Sequence, residues 1–240
     1  MLRLSFFSLV AICCTLVLAQ EEAKKKAPAV RQPSPVLKPI TDEPGLPRVL
    51  LIGDSISMGY TIPTRELLKG KANVHRIPTN GGPTTRGVSD IDKWLGDKTW
   101  DVIHFNWGLH DLKYMDVKGG RVDPVQGKVQ VTLEDYEKNL RMLTQRLKKT
   151  GATLIWCSTT PVPADSDGRI GGDEAKYNAI AAKIMSEESV ATDDLCAFAK
   201  PQMEKIGLPA NVHYSPEGYQ VLATQVAAAI EKALKKDGKR

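Results

Sequence analysis

The chain has 240 residues, enough for one domain of ordinary size. Its formal charge is +5, its lysines are spread along helices and both tails, and only 6% of its residues are aromatic. A basic patch interleaved with aromatics is absent, which argues against a nucleic-acid groove and for mild attraction to anionic surfaces.

Read from the start, Met1-Leu-Arg3 is followed by an apolar run from Leu4 to Leu18, and Val17-Leu18-Ala19 before Gln20 fits a small-residue cleavage site. Residues 1–19 are therefore expected to be a secretory signal peptide, too short to anchor the protein in a membrane, with a secreted or periplasmic product. Ile12 before Cys13 rules out a lipoprotein cleavage box. Residues 20–46, rich in Lys, Pro, Glu and Ala, lack apolar periodicity and read as a flexible tether. Removing Arg3 with the leader leaves a charge of +4. A domain is expected from 47 to 240.

Within that domain strands and helices alternate, the pattern of a three-layer α/β/α sandwich on a parallel sheet. Strands are expected near 48–53, 73–77, 101–106, 152–158 and 190–196, and helices near 63–70, 86–96, 132–149, 172–186 and 216–235. The helix from Thr132 carries Leu133, Tyr136, Leu140, Leu143 and Leu147 at helical spacing behind a Thr cap. The last helix repeats the pattern with Tyr219, Leu222, Val226, Ile230 and Leu234. These stripes are core faces. Between His110 and Thr132, three glycines and alternating valines suggest a two-stranded flap or an extended loop. A second insertion runs from Thr159 to Gly172. Loops at this edge usually set substrate choice, so Arg86, Arg169 and Tyr114 are candidate substrate contacts. Cys157 and Cys196 remain after cleavage; both fall in expected strands and are expected as buried free thiols. No Cys/His cluster has zinc spacing, so no metal or cofactor is expected.

Two segments carry chemistry. Val49-Leu-Leu-Ile52 runs straight into Gly53-Asp54-Ser55, a buried strand ending in a turn. In open α/β sheets ligands bind past the carboxyl ends of strands, so Ser55 stands where a nucleophile would. Alone, it could equally cap the next helix with Asp54. Near the other end, His213 precedes a helix capped by Ser215 with Pro216 in its first turn, a rigid mount for a general base. Alone, His213 would be an ordinary loop histidine; with Ser55 it forms a candidate Ser–His unit.

With these segments in place, the chain resembles the SGNH/GDSL hydrolases over residues 48 to 235. Four blocks in order carry the resemblance: Gly53-Asp54-Ser55, Asn80-Gly81-Gly82, Asn106-Trp107-Gly108-Leu109-His110-Asp111, and Ala210-Asn211-Val212-His213. The resemblance implies a flavodoxin-like fold with a five-stranded parallel sheet. It also implies Ser55 as nucleophile, His213 as base, and Gly82 as a backbone donor to the oxyanion. Two departures stand out. His110 occupies the position where the family supplies an oxyanion-binding asparagine, and an imidazole N–H can donate the same bond, more strongly if protonated. Ala210 occupies the place of the aspartate that orients the histidine. The pair could then run as a dyad with a backbone carbonyl fixing the tautomer, or borrow a carboxylate from Asp193, Asp194 or Glu217 (the last on the helix side), or be weak. Asp54 is expected to brace the turn, Asp111 to hold the His110 loop, and Asn106 to bridge the second and third blocks.

The implied activity is carboxylic-ester hydrolysis by an exported enzyme. Small-molecule or carbohydrate O-acetyl esters are favoured because no apolar lid is evident. A non-catalytic glycan- or ester-binding module is the competing expectation. Neither nucleic acid nor stable membrane insertion is expected.

Overall fold

Arg48–Ile52 forms strand β1, with four of its five residues buried. A strand covered on both faces needs apolar side chains on both, which explains the uninterrupted Val49-Leu50-Leu51-Ile52. The protein is described here by a computed structural model covering residues 34–236. The chain continues through α1 (Ser55–Leu67), β2 (Asn73–Arg76), α2 (Thr84–Leu95) and β3 (Val102–Phe105). A two-stranded antiparallel flap follows, β4 (Tyr114–Met115) with β5 (Lys128–Val129). Then come α3 (Leu133–Lys148), β6 (Thr153–Cys157), α4 (Glu174–Glu187), β7 (Ala191–Asp193), the short α5 (Leu195–Ala199) and α6 (Met203–Ile206), and α7 (Pro216–Lys236).

The main sheet has the order β2–β1–β3–β6–β7, every pair parallel. Leu50 sits opposite His75 on one side and Ile103 on the other. Helices α1 and α7 pack together as one outer layer, while α3 packs against α2 and α4 as the other. This is the expected three-layer sandwich with five parallel strands.

The largest correction concerns α1. It starts at Ser55, eight residues before the expected 63, and Pro63 lies inside it. The buried Asp54 caps it, its Oδ1 accepting the Ile56 N–H at 2.9 Å. Gly59 is not a breaker here: a Cβ there would lie 2.1 Å from the Tyr219 ring, so the glycine admits α7. Cys196 falls in α5 rather than in a strand. It is half-buried and Cys157 is buried; both are free.

The expected boundary at 47 moves toward the N-terminus. From Pro35 the chain belongs to the compact unit. Val36 is buried, and Asp42 receives hydrogen bonds from Arg48 Nε at 2.9 Å and pairs with His75 Nε2 at 2.5 Å. The expected leader, 1–19, and residues 20–33 of the expected tether lie outside the described residues. Among the described residues no helix is long and apolar enough to cross a membrane.

Candidate active site

The strand order places a crevice. From β1 the chain crosses to β2 on one side, then returns to β3 on the other. Such a reversal opens a gap at the carboxyl ends of the two central strands. Ser55 follows β1 there, and His110 lies on the loop after β3.

Ser55 Oγ lies 2.9 Å from His213 Nε2, across 158 positions of sequence. The His213 loop is held from several directions. Its carbonyl accepts the Leu208 N–H at 2.9 Å, and the Ser215 N–H donates to Ile206 O at 2.9 Å. Ser215 Oγ then accepts the Gly218 N–H at 3.0 Å, capping α7. Asn211 meets the far nitrogen: its Oδ1 lies 2.7 Å from His213 Nδ1 and accepts the His213 backbone N–H at 3.0 Å. Because that backbone group can only donate, the amide presents its oxygen. Nδ1 therefore carries the proton and Nε2 offers its lone pair to Ser55.

None of the three carboxylates considered from sequence reaches the histidine. Asp193 pairs with His104 Nε2 at 3.0 Å and accepts from Gln225 at 2.9 Å. Asp194 caps α5 and accepts from Ser158 Oγ at 2.8 Å. Glu217 lies in the first turn of α7. Ala210 is exposed with φ +50°, a left-handed conformation that a Cβ disfavours. Burial lowers the pKa of His213; the charge of Asp54 opposes that shift, and Arg169 and Arg121 add to it.

The oxyanion donors differ from expectation at one position. Ser55 opens α1, so its N–H has no intrahelical acceptor and the positive end of the helix faces the site. The Gly82 N–H, by contrast, donates to Asn80 Oδ1 at 2.9 Å, with Gly82 at φ +61°. The neighbouring Gly81 N–H is bonded to Gly53 O at 2.9 Å. As the chain stands, Gly82 offers no open donor; its N–H is available only when the Asn80 amide turns away. His110 is driven to about 4 by burial, against the pull of Asp54. It is a neutral imidazole at neutral pH, with one N–H to give rather than the two of a protonated ring.

The supporting residues tie neighbouring loops together. Asp54 caps the nucleophile turn, as above. Asp111 is fully buried and its Oδ1 accepts from the Thr84 N–H at 2.8 Å and Thr84 Oγ1 at 2.5 Å, joining the His110 loop to the start of α2. Asn106 does not bridge the second and third blocks. Its Nδ2 donates to Cys157 O at 2.8 Å, tying the end of β3 to the end of β6. Sequence reasoning missed Arg76. Its guanidinium donates to Gly53 O at 2.9 Å and Asp54 O at 3.1 Å, clamping the backbone on which Ser55 stands.

Of the expected substrate contacts, Arg169 alone lines a cavity with His213. Arg86 is exposed and bonded to Thr79 and Asp90, and Tyr114 is part of the flap. The fold also gathers His104, Cys157 and Asp193, whose ligand-type atoms lie within 4.8 Å of one another. All three are buried, the His104–Asp193 hydrogen bond occupies one pair, and burial pushes the Cys157 thiol well up, so its sulfur keeps its proton. The three side chains form a buried polar cluster across the ends of β3, β6 and β7.

No family model matches the chain, and no curated protein matches it by sequence. Solved structures do. An acetyl xylan esterase, Axe2, from Geobacillus stearothermophilus is 17% identical with a TM-score of 0.63, over 77% of this chain and 94% of its own. A lipase/acylhydrolase from Enterococcus faecalis is 14% identical with a TM-score of 0.64, over 78% and 96%. A candidate SGNH hydrolase from Slackia heliotrinireducens is 17% identical with a TM-score of 0.56, over 77% and 99%. The chain shares the fold of these proteins.

Proposed function

We propose that this chain is an exported serine hydrolase of the SGNH/GDSL type that cleaves carboxylic esters, with short-acyl or carbohydrate O-acetyl esters as its substrates. The observation that carries the reading is the 2.9 Å contact between Ser55 Oγ and His213 Nε2 at the carboxyl edge of the sheet. The acetyl xylan esterases and lipases among the solved neighbours support the reaction class, and the first-named support an acetyl group on a carbohydrate. Export rests on the leader at residues 1–19.

In this mechanism the Ser55 hydroxyl passes its proton to His213 Nε2 while Oγ bonds to the acyl carbon. Asn211 holds the imidazole in the required tautomer but, being neutral, stabilises the imidazolium less than a carboxylate would. The developing oxyanion is held by the Ser55 N–H and the His110 imidazole, with Gly82 added when Asn80 releases its N–H. The tetrahedral species collapses and the C–O bond to the alcohol breaks. The departing alkoxide takes the proton from Nε2. Water, deprotonated by His213, then releases the acid and restores Ser55.

Ser55→Ala is expected to abolish hydrolysis of 4-nitrophenyl acetate and labelling by a fluorophosphonate, with an unchanged circular-dichroism spectrum. Turnover surviving in that variant would remove Ser55 as the nucleophile. His110→Ala is expected to lower kcat by ~10²–10³, the usual loss for one oxyanion donor; an unchanged kcat would take His110 out of the oxyanion hole.

The second reading is a glycan- or ester-binding module. The Asn80–Gly82 bond and the absence of a carboxylate on His213 favour it. A binding module would leave Ser55 unlabelled by the fluorophosphonate.

A further inference from the structure

Beside His213 a cavity of about 170 Å³ is walled by Arg121, Ser166, Asp167, Arg169 and Asn211. Arg169 is only 8% exposed, yet its guanidinium is met by carbonyls, not carboxylates: Nε donates to Leu109 O at 3.0 Å and Nη1 to Asp167 O at 3.3 Å. Buried arginines are seldom left without a counter-charge. The Asp167 carboxylate is paired with Arg121, and the charges of Asp54 and Asp167 reach Arg169 only at a distance, with no ion pair to it among the described residues. Lys113, three positions past His110, is half-buried, lies within the field of Arg169 and Arg121, and its ammonium has no ion pair among the described residues. Burial lowers Arg169 to about 10, so it remains charged at neutral pH. Ser166 adds a buried hydroxyl with no hydrogen-bond partner among the described residues. Arg169 thus stands in the wall of the cavity beside His213 without an ion pair among the described residues, and Lys113, outside that wall, adds positive charge within the field of Arg169.

Resting on the hydrolase reading, we infer that the cavity beside His213 binds a carboxylate carried by the alcohol half of the ester, held by Arg169 with Lys113. The side of the site follows from the chemistry. His213 returns its proton to the departing alcohol, so that half of the substrate leaves past His213 and lies toward the cavity. A planar guanidinium matches a planar carboxylate in two parallel hydrogen bonds. The substrate class is then an acetyl ester of an acidic alcohol, such as a uronate-bearing sugar.

The test compares 4-acetoxybenzoate with 4-acetoxybenzamide, which differ in charge but little in shape. At low salt kcat/KM for the acid is expected to exceed that for the amide at least ~10-fold, and the ratio to shrink several-fold in 0.5 M NaCl, because salt screens partly exposed charges. Arg169→Met and Lys113→Met should each bring the ratio toward one. If Arg169→Met does not fold, Lys113→Met and the salt series decide. A ratio near one in the unaltered protein, with both esters turned over, overturns the inference and leaves the hydrolase reading intact. If neither ester reacts, the hydrolase reading falls. Titration of methyl galacturonide against methyl galactoside by NMR then judges the cavity alone: tighter binding of the charged sugar sustains the anion site, and equal or absent binding ends it.

Discussion

Asn211 Oδ1 fixes the proton on His213 Nδ1 without adding negative charge to the site. Two consequences follow at the scale of the residue. Burial and two nearby arginines lower the imidazolium's pKa, and no carboxylate contacts the ring to raise it, so His213 stays a neutral base into mildly acidic solution. Activity should therefore rise with pH through a midpoint below the ordinary value of 6.5 and be level by neutrality. Asn211→Asp should move that midpoint upward by roughly one unit, the usual pull of an adjacent carboxylate, and raise kcat. A pH–rate profile on both proteins reads this; an unmoved midpoint would mean that Asn211 does not act on the ring. Much of this was legible beforehand. Ser55 and His213 stand out because a strand end and a helix cap leave local marks. Asn211 did not, because the family pattern points to an acid three residues before the histidine, whereas an amide two residues away reaches Nδ1 through a tight side-chain turn. Arg76 was hidden for another reason: a charged residue ending a strand reads as solvated until the fold shows backbone carbonyls around it.

Among the elements, the pair α1 and α7 shows where local reading fails. Pro63 and Gly59 are helix breakers by propensity, yet both lie inside α1, which starts eight residues before the expected 63. Tertiary contact accounts for the glycine, and two threonines bond back within the helix. The glycine is the point of closest approach to Tyr219, and Thr61 Oγ1 and Thr64 Oγ1 return hydrogen bonds to Ser57 O at 2.6 Å and Tyr60 O at 2.8 Å. Gly59→Ala should therefore destabilise the protein despite the better helix propensity of alanine, by ~1–3 kcal/mol as for other overpacked sites. Chemical denaturation measures it, and a stabilised variant would show that the helices can slide apart freely. The strands, by contrast, were placed within one or two residues at most ends, because burial on both faces imposes unbroken apolar runs. The exception is β7, where Ala191-Thr-Asp193 is short and half exposed, so Cys196 was drawn into a strand it does not join.

For the molecule as a whole, the telling group is Asp111. Its carboxyl is raised from 3.8 to about 7 by burial, with the bonds from Thr84 resisting the change, and its Oδ2 has no hydrogen-bond partner among the described residues. Between those two values the folded chain holds a proton that the unfolded chain has released. The contribution of this group to stability is thus complete below about 3.8 and is lost as the pH climbs through about 7. Asp111→Asn keeps an acceptor for Thr84 and cannot ionise. Its stability relative to the unaltered protein should increase between about pH 5 and about pH 8, by at most ~3 kcal/mol, because roughly two pH units of the interval between the two values lie in that range. Thermal melts across that range would reveal it, and a difference independent of pH would refute it.

Ser55 is fixed at the start of α1 and His213, which meets it, lies 158 positions later, on the loop leading into α7. Neither half means anything until the C-terminal helix has docked beside the first one. During synthesis, the segment from Ser55 through α7 must emerge before Ser55 and His213 can meet, so under the proposed mechanism activity follows the docking of α7. In a refolding experiment the return of turnover would consequently trail the recovery of secondary structure, and it would serve as a clock for the last step.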